Sequence, residues 1–243
     1  MGGRLTTVPA DAALRCWRTL AATATGAGHL ARDEPGEDAV EVRVRDDGAV
    51  VIAVADGAGS APEAREGSAA AVAAAVDACS SGACLEDAFE LARNALGDDP
   101  PRRATTLLVA VLGADAVEVA QVGDGYAIAR RADGSYEVLV PGADREYVNE
   151  TTFLSSANWR SDLRIGVLPA DDLSGVALLT DGLQLVAVEL ATDTPFPGFF
   201  DPVFSWASDE GSSEDDLAAF LASPRIAERT DDDVTLALAV RLP

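Results

Sequence analysis

Residues 39–57 read AVEVRVRDDGAVVIAVADG, and their pattern sets how the chain folds. From Ala39 to Arg45 apolar and polar residues alternate, the period of a strand with one buried face. After Asp47-Gly48 the sequence continues as the more apolar run VVIAVA. An Asp-Gly pair between two such runs is a strong hairpin signal, because the tight turn needs residues that accept positive φ. A hairpin this short pairs its strands antiparallel.

The same punctuation recurs along the chain. Residues Ala104–Val140 read as four strands separated by Gly113-Ala-Asp, Gly123-Asp-Gly and Asp133-Gly134. Trp17–Gly26, LRIGVLP (163–169), GVALLTDG (175–182) and DDDVTLALAVRLP (231–243) complete the strand set. Between the strand blocks, Glu63–Gly82 is an alanine-rich helix stopped by glycine. Leu85–Gly97 places Leu85, Phe89, Ala92 and Leu96 on one helical face. Two further helical segments are expected, one after Asp181-Gly182 and one across Ser212–Ala222. The polar stretch Pro141–Asp162 reads as a long loop or flap, the kind of segment that is functional or disordered. No repeat period and no linker breaks the chain, so residues 1–243 are expected to form one α+β domain. Its sheets should be mainly antiparallel, with helices on their outer faces.

Composition narrows the function. Of 243 residues 48% are hydrophobic but only 5% aromatic, so the core is built mostly from Ala, Val and Leu. Against 18 basic residues stand 41 acidic ones, a net charge of −23. Such a surface repels nucleic acid and anionic membranes, both of which need a basic footprint, and it attracts cations. Cys16, Cys79 and Cys84 have neither a metal-like spacing nor the look of a disulfide framework, which points to a reducing compartment. No apolar run approaches the length of a membrane span or a secretion signal. The expectation is a soluble, cytoplasmic protein with no nucleic-acid or membrane partner.

Acids recur where strands stop. Glu37-Asp38 precedes the strand at Ala39, Asp56 follows VIAVA, Asp124 follows VEVAQVG, Asp181 follows GVALLT, and Asp232-Asp233 precedes VTLALAV. Asp47 and Asp133 are explained as turn residues of Asp-Gly pairs. The others, if brought to one sheet edge, repel one another and are costly to desolvate unless a cation sits among them. Hard oxygen donors without a His or Cys set suit Mg²⁺ or Mn²⁺. From residue types alone, a cation site and a group of ordinary turn acids both remain open.

Taken in order, these pieces resemble the metal-dependent protein phosphatases of the 2C family, from about Gly28 to Val240. The matching segments are Glu37-Asp38-Ala39, VADGAGS (54–60), ATTLLVAVL (104–112), AQVGDGYAI (120–128), LLTDGL (178–183) and DDDVTLALAV (231–240). The spellings DGAGSA and EYVNETTFL (146–154) are similar to a bacterial subgroup. The resemblance implies a four-layer αββα sandwich and hydrolysis of phosphoserine or phosphothreonine by a hydroxide bridging two Mn²⁺ or Mg²⁺ ions. Asp56 would bridge the ions. Asp181 and Asp232 would complete one shell, with Glu37 and the Gly57 carbonyl in the other. Asp124, with Asp181, would serve a third and weaker site. Asp38 and Asp233 would orient ligands or waters. The implied partner is a phosphorylated protein, a cognate serine/threonine kinase or one of its targets.

Two departures matter. Where the eukaryotic pattern is Asp-Gly-His, with the His a candidate proton donor, this chain has Ala58. The basic residue expected upstream of Glu-Asp is represented by Arg32, one position further away, and by His29 in TGAGHL; either is a candidate for contacting phosphate. Asn149, Thr151, Thr152 and Trp159 are candidates for reading substrate. The alternative reading is a catalytically weak or inactive relative that binds a phosphoprotein or kinase as a regulatory module.

Overall fold

The structure, a computed structural model, describes residues 17–140 and 151–242. The amino-terminal Met-Gly-Gly, Cys16, Asn149 and the first ten residues of the expected flap lie outside the described residues. In chain order the elements begin with β1 (Trp17–Ala24), α1 (Ala27–Ala31), β2 (Ala39–Val44), β3 (Val50–Ala55), α2 (Ala64–Ser80) and α3 (Leu85–Ala95). They continue with β4 (Leu107–Leu112), β5 (Ala116–Val122), β6 (Tyr126–Arg131), β7 (Tyr136–Val138), α4 (Trp159–Asp162), β8 (Arg164–Pro169) and β9 (Leu173–Leu179). The last are α5 (Gln184–Ala187), β10 (Val188–Glu189), β11 (Thr194–Pro195), α6 (Pro197–Ala207), α7 (Glu214–Leu221), α8 (Pro224–Ala227) and β12 (Val234–Arg241).

Ten of the strands form two antiparallel sheets, ordered β1-β12-β9-β6-β7 and β2-β3-β4-β5-β8. The opening hairpin is present as read: Val44 pairs with Val50, and Gly48 takes φ 84° in the turn. Alternation assigns each side chain to a layer. Val50, Ile52 and Val54 of β3 pack with Leu108 and Ala110 of β4 and with Val176, Leu178, Ala237 and Ala239 of the other sheet. This is the core between the sheets. Val51, Ala53 and Ala55 point the other way, onto α2 and α3. Leu236, Leu238 and Val240 of β12 meet the phenylalanines of α6. Strands covered on both faces therefore read as nearly unbroken apolar runs, as β3 and β4 do. Helix, sheet, sheet and helix make four layers, as the sequence suggested.

Three details depart from the sequence reading. The helix expected after Asp181-Gly182 is one short turn, α5; the longer α6 begins at Pro197, inside a Pro-Gly-rich stretch that hides its period. The one-turn α8 between α7 and β12 was also unforeseen. The second half of the expected flap is not an ordinary loop, because Leu154 and Trp159 are buried against the α2–α3 layer. Among the described residues no helix is long and apolar enough to cross a membrane.

Candidate active site

Antiparallel order gathers the acids. With Ala39 opposite Ala55, Leu107 opposite Val122, Tyr126 opposite Leu179 and Leu179 opposite Leu236, four strands end and four begin at one edge of the sandwich. β1, β3, β5 and β9 end there; β2, β4, β6 and β12 start there. Glu37-Asp38, Asp56, Asp124, Asp181 and Asp232-Asp233 are the residues just beyond those ends.

The Asp56 turn is pinned by the start of β4. Its carbonyl accepts the Thr106 amide at 2.8 Å and the Thr105 hydroxyl at 2.8 Å, while its own amide donates to Thr106 Oγ1 at 2.9 Å. Glycine at 57 is required by space: a Cβ there would stand 2.8 Å from the Ala64 carbonyl oxygen at the start of α2. A Cβ on Gly59 would lie 3.7 Å from Glu37 Oε2, which places the Glu37 carboxylate beside this turn. The Asp124 turn is also tight. Gly123 has φ 117°, and a Cβ on Gly125 would meet the Leu179 carbonyl at 2.7 Å. Buried Gln121 secures it by donating to the Gly123 carbonyl at 3.2 Å.

Asp233 organises the other side. One oxygen lies 3.1 Å from His29 Nδ1 and accepts the Gly26 amide at 2.7 Å; the second accepts the Glu37 amide at 2.6 Å. His29 is buried on α1, and its Nε2 lies 3.7 Å from Glu37 Oε2. Asp38 receives the hydroxyls of Thr180 and Thr235 at 2.8 and 2.7 Å. These two threonines, with Gln121, were not singled out from sequence; their one signal there is a position next to strand-end acids.

The acids at this edge oppose one another's ionisation. Burial, followed by repulsion from Asp38, Asp181, Asp232 and Asp124, holds the Asp56 carboxyl far above the usual carboxylate range. Burial raises Asp38 in the same direction against its two threonine bonds. Asp181 is pushed up to about 7 by burial and then by Asp124 and Asp232. Burial also raises Asp232 and Glu37. Glu37 Oε2 and Asp38 Oδ1 are buried without a hydrogen-bond partner. Among the described residues no three His, Cys, Asp or Glu side chains form a ready-made ion cage. The oxygen donors, their orphaned atoms and their mutual repulsion nonetheless suit a hard divalent cation.

The remaining candidates sit around this centre. Asp124 is exposed and accepts the Thr151 hydroxyl at 2.6 Å. Arg32 is exposed and turned to Glu34 rather than inward. Ala58 is buried, and its amide donates to the Ala104 carbonyl at 2.9 Å. Thr152 bonds Asp162 at 2.8 Å. Trp159 is packed under the Arg160 guanidinium, 5.0 Å above its ring, so its side chain faces the core rather than a substrate. Cys79 is buried in the α2 layer and Cys84 is exposed, both as free thiols.

A four-layer αββα sandwich with an acid-lined strand edge defines the class, and comparison with known proteins agrees. The profile described as Protein phosphatase 2C matches residues 25–222, and the chain belongs to that family. Membership supports a phosphatase function. Serine/threonine-protein phosphatase 3 of Escherichia coli K12 is 30% identical over 250 residues, covering 92% of this chain and 98% of that one. The fold matches the serine/threonine phosphatase Stp1 of Staphylococcus aureus with TM-score 0.67 at 15% identity, covering both chains fully. It also matches the S. agalactiae serine/threonine phosphatase with TM-score 0.66 at 16% identity, covering 93% of this chain and 100% of that one.

Proposed function

We propose that the chain hydrolyses phosphoserine or phosphothreonine on a protein substrate and depends on Mn²⁺ or Mg²⁺ to do so. The observation that carries this reading is Asp56, a buried carboxyl at the strand edge that four other acids, Asp38, Asp181, Asp232 and Asp124, oppose in ionising. Glu37, Asp56, Asp181, Asp232 and the Gly57 carbonyl would hold two ions, with Asp124 and Asp181 available for a third. Bound there, the metals would supply an acidified water and neutralise charge on the phosphoryl oxygens.

The chain's own residues do the rest. The Thr105–Thr106 clamp fixes the Asp56 turn, so its carboxylate is presented without reorganisation. Asp233 orients the His29 ring and leaves Nε2 directed at the acid edge, where it can hold a proton for the departing serine or threonine oxygen. That role would take over what Ala58 cannot do. Arg32 reaches the phosphoryl group only by leaving Glu34. The physiological partner would be a serine/threonine kinase or a protein phosphorylated by one, inside the cell. The test is hydrolysis of a phosphothreonine peptide in Mn²⁺ and in EDTA, by wild type and Asp56→Asn. Activity confined to wild type with Mn²⁺ supports the reading; Mn²⁺ binding without turnover of any phosphopeptide favours the regulatory module instead.

A further inference from the structure

The outermost strand of a sheet presents a row of unpaired N–H and C=O groups, a template for another chain unless the edge is guarded. The two large sheets have four such edges, and three are guarded. β2 carries Glu41 and Arg43, and Arg43 is paired with Glu41 and Asp77. At β1 the Ala21 amide already donates to Glu214 Oε1 at 3.3 Å, and Arg18 donates to the Ser212 carbonyl at 2.8 Å, so the start of α7 covers that edge. β7 is three residues long, and its Glu137 is paired with Arg131. β8 has none of these devices. It pairs with β5 in unbroken register, from Arg164 opposite Gln121 to Pro169 opposite Ala116, and no other described strand pairs with it. Ile165, Gly166, Val167 and Leu168 bring neither charge nor proline, and Ile165 and Val167 are 42% and 62% exposed. The chemistry that completes such an edge is an extended polypeptide with apolar side chains on one face.

The position of β8 says which polypeptide. The strand begins at the acid edge: Arg164 donates to the Gly123 carbonyl at 2.5 Å, beside Asp124, and the chain then runs away from that edge to Pro169. Every pairing in this sheet is antiparallel. A polypeptide added to β8 in the same sense advances toward the acids and reaches them at its carboxyl end. A net charge of −23 on each copy opposes a second copy of this chain at the edge and favours a basic or uncharged segment. We propose that β8 receives the substrate polypeptide as a sixth strand of its sheet and so delivers the phosphorylated residue to the acid edge. Roughly four residues before the phosphorylated one lie along Ile165–Leu168, at about 3.3 Å each. Every second side chain among them rests on Ile165 and Val167, a face that suits β-branched residues. This inference rests on the protein phosphatase reading given above.

The test uses the full chain with Mn²⁺ and a phosphothreonine peptide that has valine at alternate positions before the phosphorylated residue. Its backbone amides are methylated one at a time. Only every second amide of an antiparallel strand faces its neighbour, so methylation should lower kcat/KM by about three- to tenfold at alternate positions and little between them. Removing the residues before the phosphothreonine should raise KM, and removing those after it should change little. Ile165→Thr with Val167→Thr should lower kcat/KM on the peptide about tenfold relative to p-nitrophenyl phosphate, which does not extend along β8, with the melting temperature retained. Hydrogen exchange gives a readout without catalysis: in the metal-free chain, alternate amides of residues 165–168 should exchange fast and should slow when the dephosphorylated peptide is added. The proposal is overturned if methylation acts equally at every position or at none, if recognition depends on residues after the phosphothreonine, or if the double variant leaves the ratio of the two substrates unchanged. It is also overturned if all four of those amides are protected in the free chain, because residues 141–150 or a second copy then already holds the edge. If neither substrate is hydrolysed the phosphatase reading fails by itself, and the exchange pattern on adding peptide still decides whether β8 takes a strand.

Discussion

His29 and Asp233 are locked together at the base of the acid edge, with Nδ1 3.1 Å from Oδ1 and both groups buried. The same carboxylate accepts two backbone amides, from Gly26 and Glu37. One side chain from the start of β12 thus fixes three segments: the end of β1, the α1 turn and the approach to β2. Under the function proposed above Asp233 would act as a positioning residue, and its loss should be felt in both stability and activity.

Asp233→Asn preserves shape but replaces one acceptor oxygen with a donor. It should lower activity and Mn²⁺ affinity by about 10–100-fold, the usual cost of disturbing a group that orients metal ligands. Asp233→Ala leaves the Gly26 and Glu37 amides without their acceptor, and each unsatisfied buried group costs about 1–3 kcal/mol. Thermal denaturation and calorimetry separate the two effects. Wild-type Mn²⁺ affinity in both variants would show that Asp233 does not position the site.

His29 should matter in proportion to the leaving group. If its Nε2 carries the proton for the departing oxygen, His29→Gln should slow a phosphothreonine peptide by about 10²–10⁴-fold. p-Nitrophenyl phosphate, whose leaving group needs no proton, should lose much less. Equal losses on both substrates would make His29 a structural group only.

Much of this architecture was legible in the chain because both faces of each central strand are covered. VVIAVA and LLVAVL announce buried strands, and Asp-Gly and Gly-Asp-Gly turns fix their antiparallel order; order alone then brings the strand-end acids to one edge. α6 was hidden because Pro197, Gly198 and Pro202 disrupt a helix signal that its buried phenylalanines restore only in three dimensions. The clamps made by Thr180 and Thr235 were invisible for another reason. Their partners lie across strand registers, and no local pattern marks a hydroxyl that will meet Asp38.

The metal-free protein should lose stability as pH rises. In the folded chain Asp181 holds its proton up to about 7, against an ordinary value of 3.8. Below 3.8 both folded and unfolded chains are protonated and no penalty exists. Between 3.8 and about 7 the unfolded chain ionises first, so the folded state is progressively disfavoured; above 7 the full penalty applies. Melting temperature in EDTA should fall from pH 5 to pH 8, and Asp181→Asn should flatten the slope. An identical slope in wild type and variant would contradict the assigned burial and repulsion.

Gly182→Ala should damage the site without touching a charge. A Cβ at this position would stand 2.0 Å from the Asp233 carbonyl oxygen, so the turn carrying Asp181 or the start of β12 must move. Overpacking of this kind costs about 1–3 kcal/mol. The melting temperature should drop and the response to Mn²⁺ should weaken; a variant with wild-type values for both would show that the two turns are not in tight register.

The most direct measurement is calorimetric titration of the full chain with Mn²⁺ beside the Asp56→Asn variant, with melting temperatures recorded in EDTA and in Mn²⁺. Wild type should bind Mn²⁺ and gain melting temperature with it. Asp56→Asn should melt above wild type in EDTA, because folding no longer forces a proton onto a buried carboxyl that ionises in the unfolded chain, and should lose most of its Mn²⁺ affinity and all hydrolysis of the phosphothreonine peptide. Undiminished Mn²⁺ affinity and hydrolysis in Asp56→Asn would contradict a metal-dependent phosphatase centred on that carboxylate.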